Sequence, residues 1–150
     1  MMQRIIIIFA AVLVISGLVL LARNIFGGKQ ESVTVGDEKI QLFVAKTTKE
    51  HEVGLSNRTS LKENQGMIFL FDKPDYYSFW MRNMKFPIDI IFLSGNKIVT
   101  MHVNVQPPAA NNASLPLYTS DEPADKVIEL PAGKSEKLDL KDGDTLSLTL

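Results

Sequence analysis

The longest apolar run of the chain lies close to its N-terminus. Residues 5–22 contain no charge, and Arg4 and Arg23 flank them. As a helix that rises 1.5 Å per residue this run is about 27 Å long, close to the ~30 Å thickness of the hydrocarbon core of a bilayer. A helix packed on a soluble domain would carry a polar stripe, and this run has none. The pattern predicts a transmembrane signal-anchor over residues 1–24.

A cleaved secretory signal is the alternative interpretation of the same run. Such signals have a shorter apolar core of about 7–15 residues, followed by a cleavage site between small residues. The C-terminal end of the apolar run, residues 20–24, contains no convincing cleavage site of that kind. The positive charges on the two sides of the run are almost equal in number, so they do not decide its orientation. We expect the default for a short N-terminal anchor, with the N-terminus in the cytoplasm and the domain outside. We expect a single-pass cell-membrane protein with an extracytoplasmic domain, secreted if the segment is cleaved.

After this run, short apolar stretches alternate with turn residues. A polar linker is predicted over residues 25–31 and one domain over residues 32–150. Gly36 and Asp37 separate two stretches of strand-forming residues and predict a hairpin. Further strands are predicted over 66–71, 77–82, 88–93, 97–103, 126–130 and 145–150.

One helix start has a clear signal. Thr47 followed three residues later by Glu50 is a capping box, which predicts a helix over residues 48–55. Residues 72–75 predict a turn, and residues 106–124, which are rich in proline, predict a long surface loop. About eight short strands with one or two short helices indicate a mainly β (β-rich α+β) domain, either barrel-like or a sandwich.

Composition excludes several classes of function. A net charge of −1 argues against a nucleic-acid-binding protein, which would carry a basic face. The absence of cysteine excludes disulfides, zinc–thiolate sites and thiol nucleophiles. The two histidines show no metal-ligand spacing, and no phosphate loop, dinucleotide fingerprint or serine-hydrolase elbow is present. We predict no metal, no cofactor and no catalytic motif.

Asp89 is an acid inside an otherwise apolar strand. Burying a lone carboxylate costs several kcal/mol, so this side chain must face solvent, be paired or be functional. Strand alternation places it on the face of Ile91. One interpretation is a structural ion pair with Arg58, Arg82 or Lys85; the other is a carboxylate that contacts a ligand or acts as an acid or base.

Aromatic residues concentrate in one stretch. Eight of the twelve lie between Phe69 and Phe92, a distribution that suits a ligand pocket and also suits an ordinary β core. For the phenylalanines the core interpretation is favoured, whereas Trp80 is divided between core and pocket. His51 is interpreted as a lone exposed histidine on the predicted helix.

These residues also form a recognisable set. The blocks 66–71, 79–83, 87–92 and 127–133, in this order, resemble domain-of-unknown-function family 192 (uncharacterised protein family 0127) over residues 33–150. The resemblance implies a small prokaryotic protein, often secreted or membrane-anchored, with a β-rich domain and no established activity. Ser56, Asn57 and Met84 depart from the family pattern. Matched by motif position, the candidate ligand-binding residues are Glu50, Arg58, Trp80, Arg82, Asn83 and Asp89.

Two functions follow as hypotheses. The first is a binding module of the cell envelope that uses the region of Arg58, Trp80 and Asp89 for a small molecule, a glycan or an envelope protein. The second is a hydrolase with Asp89 or Glu50 as acid/base. Binding is favoured because no second carboxylate or nucleophile has a diagnostic spacing. A carboxylate with a strongly raised pKa in a deep cleft would favour the enzyme.

Overall fold

A computed structural model of the chain describes residues 30–35, 38–109 and 115–149. The described part contains nine strands and two short helices. The predicted signal-anchor lies outside it, and none of the helices described is long and apolar enough to cross a membrane. In chain order the elements are β1 (Gln30–Val35), β2 (Glu38–Ala45), α1 (Thr48–Val53), β3 (Gln65–Asp75), β4 (Ser78–Phe79), β5 (Ile88–Ser94), β6 (Lys97–Val105), β7 (Tyr118–Thr119), β8 (Ala124–Pro131), α2 (Lys134–Lys137) and β9 (Ser147–Thr149).

Seven of the strands form one sheet in the order β6-β5-β8-β3-β2-β1-β9. Among the strands of the described residues, only β2 and β3 are paired in parallel, and α1 lies in the connection between them. Parallel neighbours need such a crossover because a tight turn cannot join them. Strands β4 and β7 form a separate two-stranded ribbon.

The two edges of the sheet come together. Lys97, at the start of edge strand β6, forms a bridge to Thr145, just before β9 at the other edge. The Ile98 N–H donates to the carbonyl of Asp144 at 2.8 Å, and the Leu146 N–H donates to the carbonyl of Asn96 at 2.9 Å. The sheet therefore curls into a partly closed barrel. The domain is mainly β as predicted, and of the two predicted forms, barrel-like or sandwich, it has the barrel-like one.

Both faces of this curled sheet are apolar. Successive residues of a strand point to opposite faces, so the buried apolar residues divide into two sets. The first set fills the inside of the barrel, and we call it the barrel core. The second set lies on the outer face, and we call it the outer core. The barrel core contains Val33, Ile40, Leu42, Val44, Ile68, Ile91, Leu93, Ile98, Ile128, Leu130, Leu140 and Leu146. The outer core contains Phe43, Ala45, Leu55, Met67, Phe69, Met81, Ile88, Ile90, Phe92, Val105, Ala124 and Val127.

Several predicted boundaries are wrong. Strand β3 continues to Asp75, because a register shift after Leu70 lets the chain stay extended through Pro74 where a turn was predicted. Strand β4 has only two residues, because the chain turns between Met81 and Met84. Strand β7 lies within the predicted loop, and β1 includes the last two residues of the predicted linker.

Candidate functional site

A cavity of about 140 Å³ opens on the outer face of the sheet, between the end of α1, strands β3 and β4 and the centre of β8. Its walls are largely aromatic. Phe71 and Tyr77 stack with ring centroids 3.6 Å apart, and Phe69 meets Phe79 edge to face at 4.9 Å. These contacts hold the rings in fixed positions. The cavity is lined by His51, Glu52, Val53, Gly54, Leu55, Ser56, Phe69, Phe71, Tyr77, Ser78, Phe79, Trp80, Arg82, Met84 and Glu129.

Glu129 is the buried carboxyl group of this cavity, which we call the Glu129 cavity. It lies on β8, opposite Met67 of β3 and Ile90 of β5, and only 6% of it is exposed. Within the described residues its Oε2 atom has no hydrogen-bond partner. Burial without a compensating charge raises the pKa of Glu129 to about 8, because removal from water penalises the ionised form. At neutral pH Glu129 is therefore mostly a neutral carboxylic acid.

Sequence reasoning missed Glu129, although a signal was present. It follows the apolar pair Val127 and Ile128 and precedes Leu130, so it is an acid inside an apolar strand. This is the feature that singled out Asp89. The same argument, applied to β8, would have selected Glu129.

Two predicted residues, Trp80 and Arg82, lie at the Glu129 cavity. The guanidinium carbon of Arg82 lies 4.1 Å from the centroid of the Trp80 ring, a cation–π contact. Trp80 is 46% exposed, so it forms part of the rim. The next residue, Asn83, is exposed and has a φ of 59°, in the left-handed region that asparagine tolerates better than most residues. Asn83 thus helps to turn the chain behind the rim and does not line the cavity.

Asp89 is fully buried, and its carboxylate accepts hydrogen bonds from backbone N–H groups. Oδ1 accepts from Asn104 at 2.8 Å and from Gly133 at 3.2 Å, and Oδ2 accepts from Ser135 at 2.9 Å. The expected ion pair with an arginine or lysine is not formed in the described part of the chain. Backbone donors replace it, and they join β5 to the end of β6 and to the start of α2.

Asp89 also lies on the other side of the sheet from the Glu129 cavity. It is paired with Leu130 of the barrel core, whereas Glu129 is paired with Ile90 of the outer core. Side chains one residue apart on β8 point to opposite faces. Asp89 and Trp80 are therefore not brought together in one site.

Arg58 contacts neither Asp89 nor the Glu129 cavity. Its guanidinium carbon lies 3.6 Å from the centroid of the Phe43 ring, and the side chain is half-buried. Burial lowers the pKa of this guanidinium from its usual value. Arg58 thus covers the edge of the outer core, and the predicted grouping of Arg58, Trp80 and Asp89 is not formed.

Glu50 forms the predicted capping box of α1. Its Oε2 atom accepts from the N–H groups of Lys46 and Thr47, both at 2.9 Å, and the Thr47 hydroxyl accepts from the Glu50 N–H at 3.3 Å. The two backbone donors lower the pKa of Glu50. This carboxylate is occupied at the helix start, and it does not line the cavity.

His51 is not the exposed histidine that the sequence suggested. Its Nε2 atom donates to the carbonyl of Ala45 at 3.2 Å, and its ring lies 4.6 Å from that of Phe71. The side chain is half-buried and forms part of the cavity wall. The described residues include no group of three or more histidine, aspartate and glutamate side chains that could hold a metal ion.

Comparison with known proteins identifies the family. The family model DUF192, described as "Uncharacterized ACR", matches residues 31–148. The chain belongs to the DUF192 family. The family resemblance found in the sequence is thereby confirmed.

Two solved structures resemble this DUF192 chain. One, from Sinorhizobium meliloti 1021, is described as a candidate transcription regulator; it is 26% identical, with a TM-score of 0.71 over 81% of this chain and 95% of its own. The other is a protein of unknown function from Novosphingobium aromaticivorans DSM 12444, 30% identical, with a TM-score of 0.66 over 79% and 83%. A comparison with curated proteins finds no match.

The chemistry available in this DUF192 domain is that of a neutral carboxyl group among aromatic rings. Such a group donates one hydrogen bond while it is protonated and accepts several once it is ionised. The Glu129 cavity combines it with Arg82 and Glu52 as further charged residues in its lining. A few polar groups converging in an apolar recess are typical of small-molecule sites.

Proposed function

We propose that this chain is a small-molecule-binding domain, held at the cell membrane by residues 1–24, and that its site is the Glu129 cavity. One observation carries the proposal: Glu129 is buried in the cavity with an Oε2 atom that has no partner among the described residues. An unsatisfied buried carboxyl oxygen costs about 1–3 kcal/mol or more. A ligand with a complementary polar group would remove this cost.

The volume of the cavity limits the part of a ligand that it can enclose. An engineered cavity of about 150 Å³ in another protein binds benzene. The Glu129 cavity, at about 140 Å³, would therefore accept a group of similar size. The rest of a larger ligand would lie outside, against the exposed ring of Trp80.

The membrane location in this proposal rests on residues 5–22 alone. Nucleic-acid binding is not proposed, although one structural relative is described as a candidate transcription regulator. A net charge of −1 provides no electrostatic attraction to a phosphate backbone.

A thermal-shift screen tests the proposal. The melting temperatures of the full-length wild type and of Glu129→Gln, both in a maltoside detergent, are measured with each compound of a panel. The panel contains amines, amino acids, sugars, peptidoglycan fragments and nucleosides. A ligand at a hundred times its Kd stabilises the folded protein by about 2.7 kcal/mol, which raises the melting temperature by roughly 10 °C in a domain of this size. We expect at least one ligand to stabilise the wild type and to lose this effect in Glu129→Gln.

The matched control is Glu63→Gln. Glu63 is an exposed glutamate that pairs with Lys137 and does not line the cavity. This variant should keep the full ligand-induced shift. A ligand that stabilises both glutamine variants as strongly as the wild type binds elsewhere, and such a result would refute the proposed site.

A second candidate function is hydrolysis with Glu129 as a general acid. Its specific support is the raised pKa of Glu129, about 8, because a general acid must still hold its proton near neutral pH. Glu52 is the second carboxylate in the cavity lining. Asp89 and Glu50 no longer fit this role, since backbone donors occupy both.

The two functions are distinguished by turnover. If the function is hydrolysis, the wild type should release 4-nitrophenol from a panel of 4-nitrophenyl glycosides and esters. Both Glu129→Gln and Glu52→Gln should then lose this activity. If none of the chromogenic substrates is cleaved while a ligand is bound, binding is the function.

A further inference from the structure

We propose that the ligand of the Glu129 cavity carries an organic cation, an ammonium or guanidinium group, which is bound between the Glu129 carboxylate and the aromatic walls. This inference rests on the proposed function and names the chemical class of its ligand. It is carried by the combination of a buried, unpartnered carboxyl oxygen with a wall of aromatic rings and a volume suited to one small group.

The aromatic walls favour a positive charge. The face of an aromatic ring is negative, and a cation within about 6 Å of its centroid is attracted to it, most strongly when the cation is desolvated. The cavity presents the rings of Phe69, Phe71, Tyr77, Phe79 and Trp80. Arg82 already forms such a contact with the Trp80 ring at the rim.

The charges around the cavity also favour a cation. The strands on either side of β8 place the apolar side chains of Met67 and Ile90 opposite Glu129. Neither of these two residues supplies a counter-charge to its carboxyl group. The remaining titratable groups that line the cavity are His51 and Glu52 from α1, Tyr77 beside β4 and Arg82 from the following turn. With Glu129 ionised, the formal charge of the lining is −1, because Glu52 and Arg82 cancel. An organic cation would neutralise it, whereas a second anion would add to it.

Binding of a cation is coupled to loss of the Glu129 proton. Without a cation beside it, Glu129 holds its proton at neutral pH, because its pKa is raised to about 8. A cation binds best after that proton has left, so its affinity should rise with pH until about pH 8 and then level off. A ligand that accepts a hydrogen bond from neutral Glu129 would show the opposite dependence.

Three probes of similar shape test the inference: tetramethylammonium, tert-butanol and pivalate, which are cationic, neutral and anionic. None of them changes its charge between pH 6 and 8. The full chain is titrated with each probe in a maltoside detergent, which carries no ammonium group. Binding is followed through the methyl NMR signal of Met84 in the cavity lining.

We expect tetramethylammonium to bind most tightly of the three. Its Kd should be roughly fiftyfold lower at pH 8 than at pH 6, the ratio of the ionised fractions of a carboxyl group with a pKa near 8. The ¹³C signal of the Glu129 carboxyl group should show its apparent pKa falling as the probe is added. Glu129→Gln should abolish the pH dependence and weaken binding at pH 8, whereas Glu63→Gln should leave both unchanged.

Other outcomes would overturn the inference in distinguishable ways. Tighter binding of tert-butanol than of tetramethylammonium at both pH values, or tighter binding of pivalate at pH 6, would reject the cation but keep the Glu129 cavity as a ligand site. A pH dependence that survives in Glu129→Gln would show that another group causes it and would overturn the coupling to Glu129. Failure of all three probes to bind would reject the cation, and the thermal-shift screen would decide separately on the proposed function.

Discussion

Two buried acids on neighbouring strands have opposite environments. The Asp89 carboxyl group accepts hydrogen bonds from three backbone N–H groups, so both of its oxygens have donors that are fixed in the fold. Glu129 is buried to a similar degree, yet its Oε2 atom has no donor among the described residues. Backbone donors, and not burial alone, decide whether a carboxylate can be kept inside a protein. Asp89 therefore stabilises the fold, whereas the Glu129 carboxyl group is the one that we propose to bind a ligand.

The raised pKa of Glu129 predicts how stability depends on pH. The pKa is about 8 in the folded chain and 4.5 when unperturbed, so between these values the folded state holds a proton that the unfolded state has released. Stability falls with rising pH wherever the folded state binds more protons. The stability that neutral Glu129 allows is fully present below about pH 4.5 and is progressively lost up to about pH 8.

Urea denaturation of the full chain at pH 5 and pH 8 measures this effect. We expect the free energy of unfolding of the wild type to fall by about 3 kcal/mol more than that of Glu129→Gln over this interval, as an order of magnitude. Groups common to both proteins cancel in this difference. Parallel profiles for the two proteins would mean that Glu129 is already ionised in the folded state at pH 5.

At the scale of elements, local signals were sufficient where an element is defined by its own residues. The capping box at Thr47 and Glu50 located α1, and the turn residues Gly36 and Asp37 located the hairpin of β1 and β2. Helix α2 has no side-chain cap; Asp89, more than forty residues away, accepts from Gly133 and Ser135 at its start. Such an element has no local signal to find. The parallel pairing of β2 with β3 was not predictable either, because alternation defines faces and not partners.

The candidate site was predicted only in part, for the same reason. Trp80 and Arg82 belong to a local aromatic stretch, and both line the cavity. Asp89 was a plausible third member from its type and its strand. Whether Asp89 lies on the same face of the sheet as the Glu129 cavity depends on the pairing of β5 with β8. That pairing is a long-range property of the fold.

The links made by Asp89 predict the effect of Asp89→Asn. Asparagine offers one acceptor oxygen and an NH₂ group, which would face a backbone N–H that now has no acceptor. We expect a loss of about 2–4 kcal/mol in the free energy of unfolding, measured by urea denaturation of the full chain. Asp142→Asn, at an exposed position, should change it by less than about 0.5 kcal/mol.

Asp89→Asn also tests the separation of the two faces. Ligand-induced stabilisation through the Glu129 cavity should survive in this variant, because Asp89 points to the barrel core. A variant that stays as stable as the wild type but no longer binds the ligand would place Asp89 in the binding site and contradict this assignment.

At the scale of the whole molecule, the Glu129 cavity is built from a central strand of the sheet and from short elements packed on its outer face. Glu129 lies on β8, which is paired on both sides, with β3 and with β5. Further parts of the cavity lining come from the short helix α1 and from β4, which has only two residues. A side chain on a central strand is held in place by its neighbours, which is what a binding group requires.

The proposed membrane location predicts how the whole chain behaves in a cell. Residues 5–22 should keep the full chain in the membrane pellet after an alkaline carbonate wash, and protease added to spheroplasts should digest the domain from outside. The double variant Val12→Arg and Ile15→Arg places two charges in the middle of the segment, at a cost of about 2.5–3.5 kcal/mol each on an insertion scale. This variant should move to the soluble fraction. A wild-type chain that is soluble at its full mass would refute the anchor, and a soluble chain shortened by about the length of the segment would identify a cleaved signal.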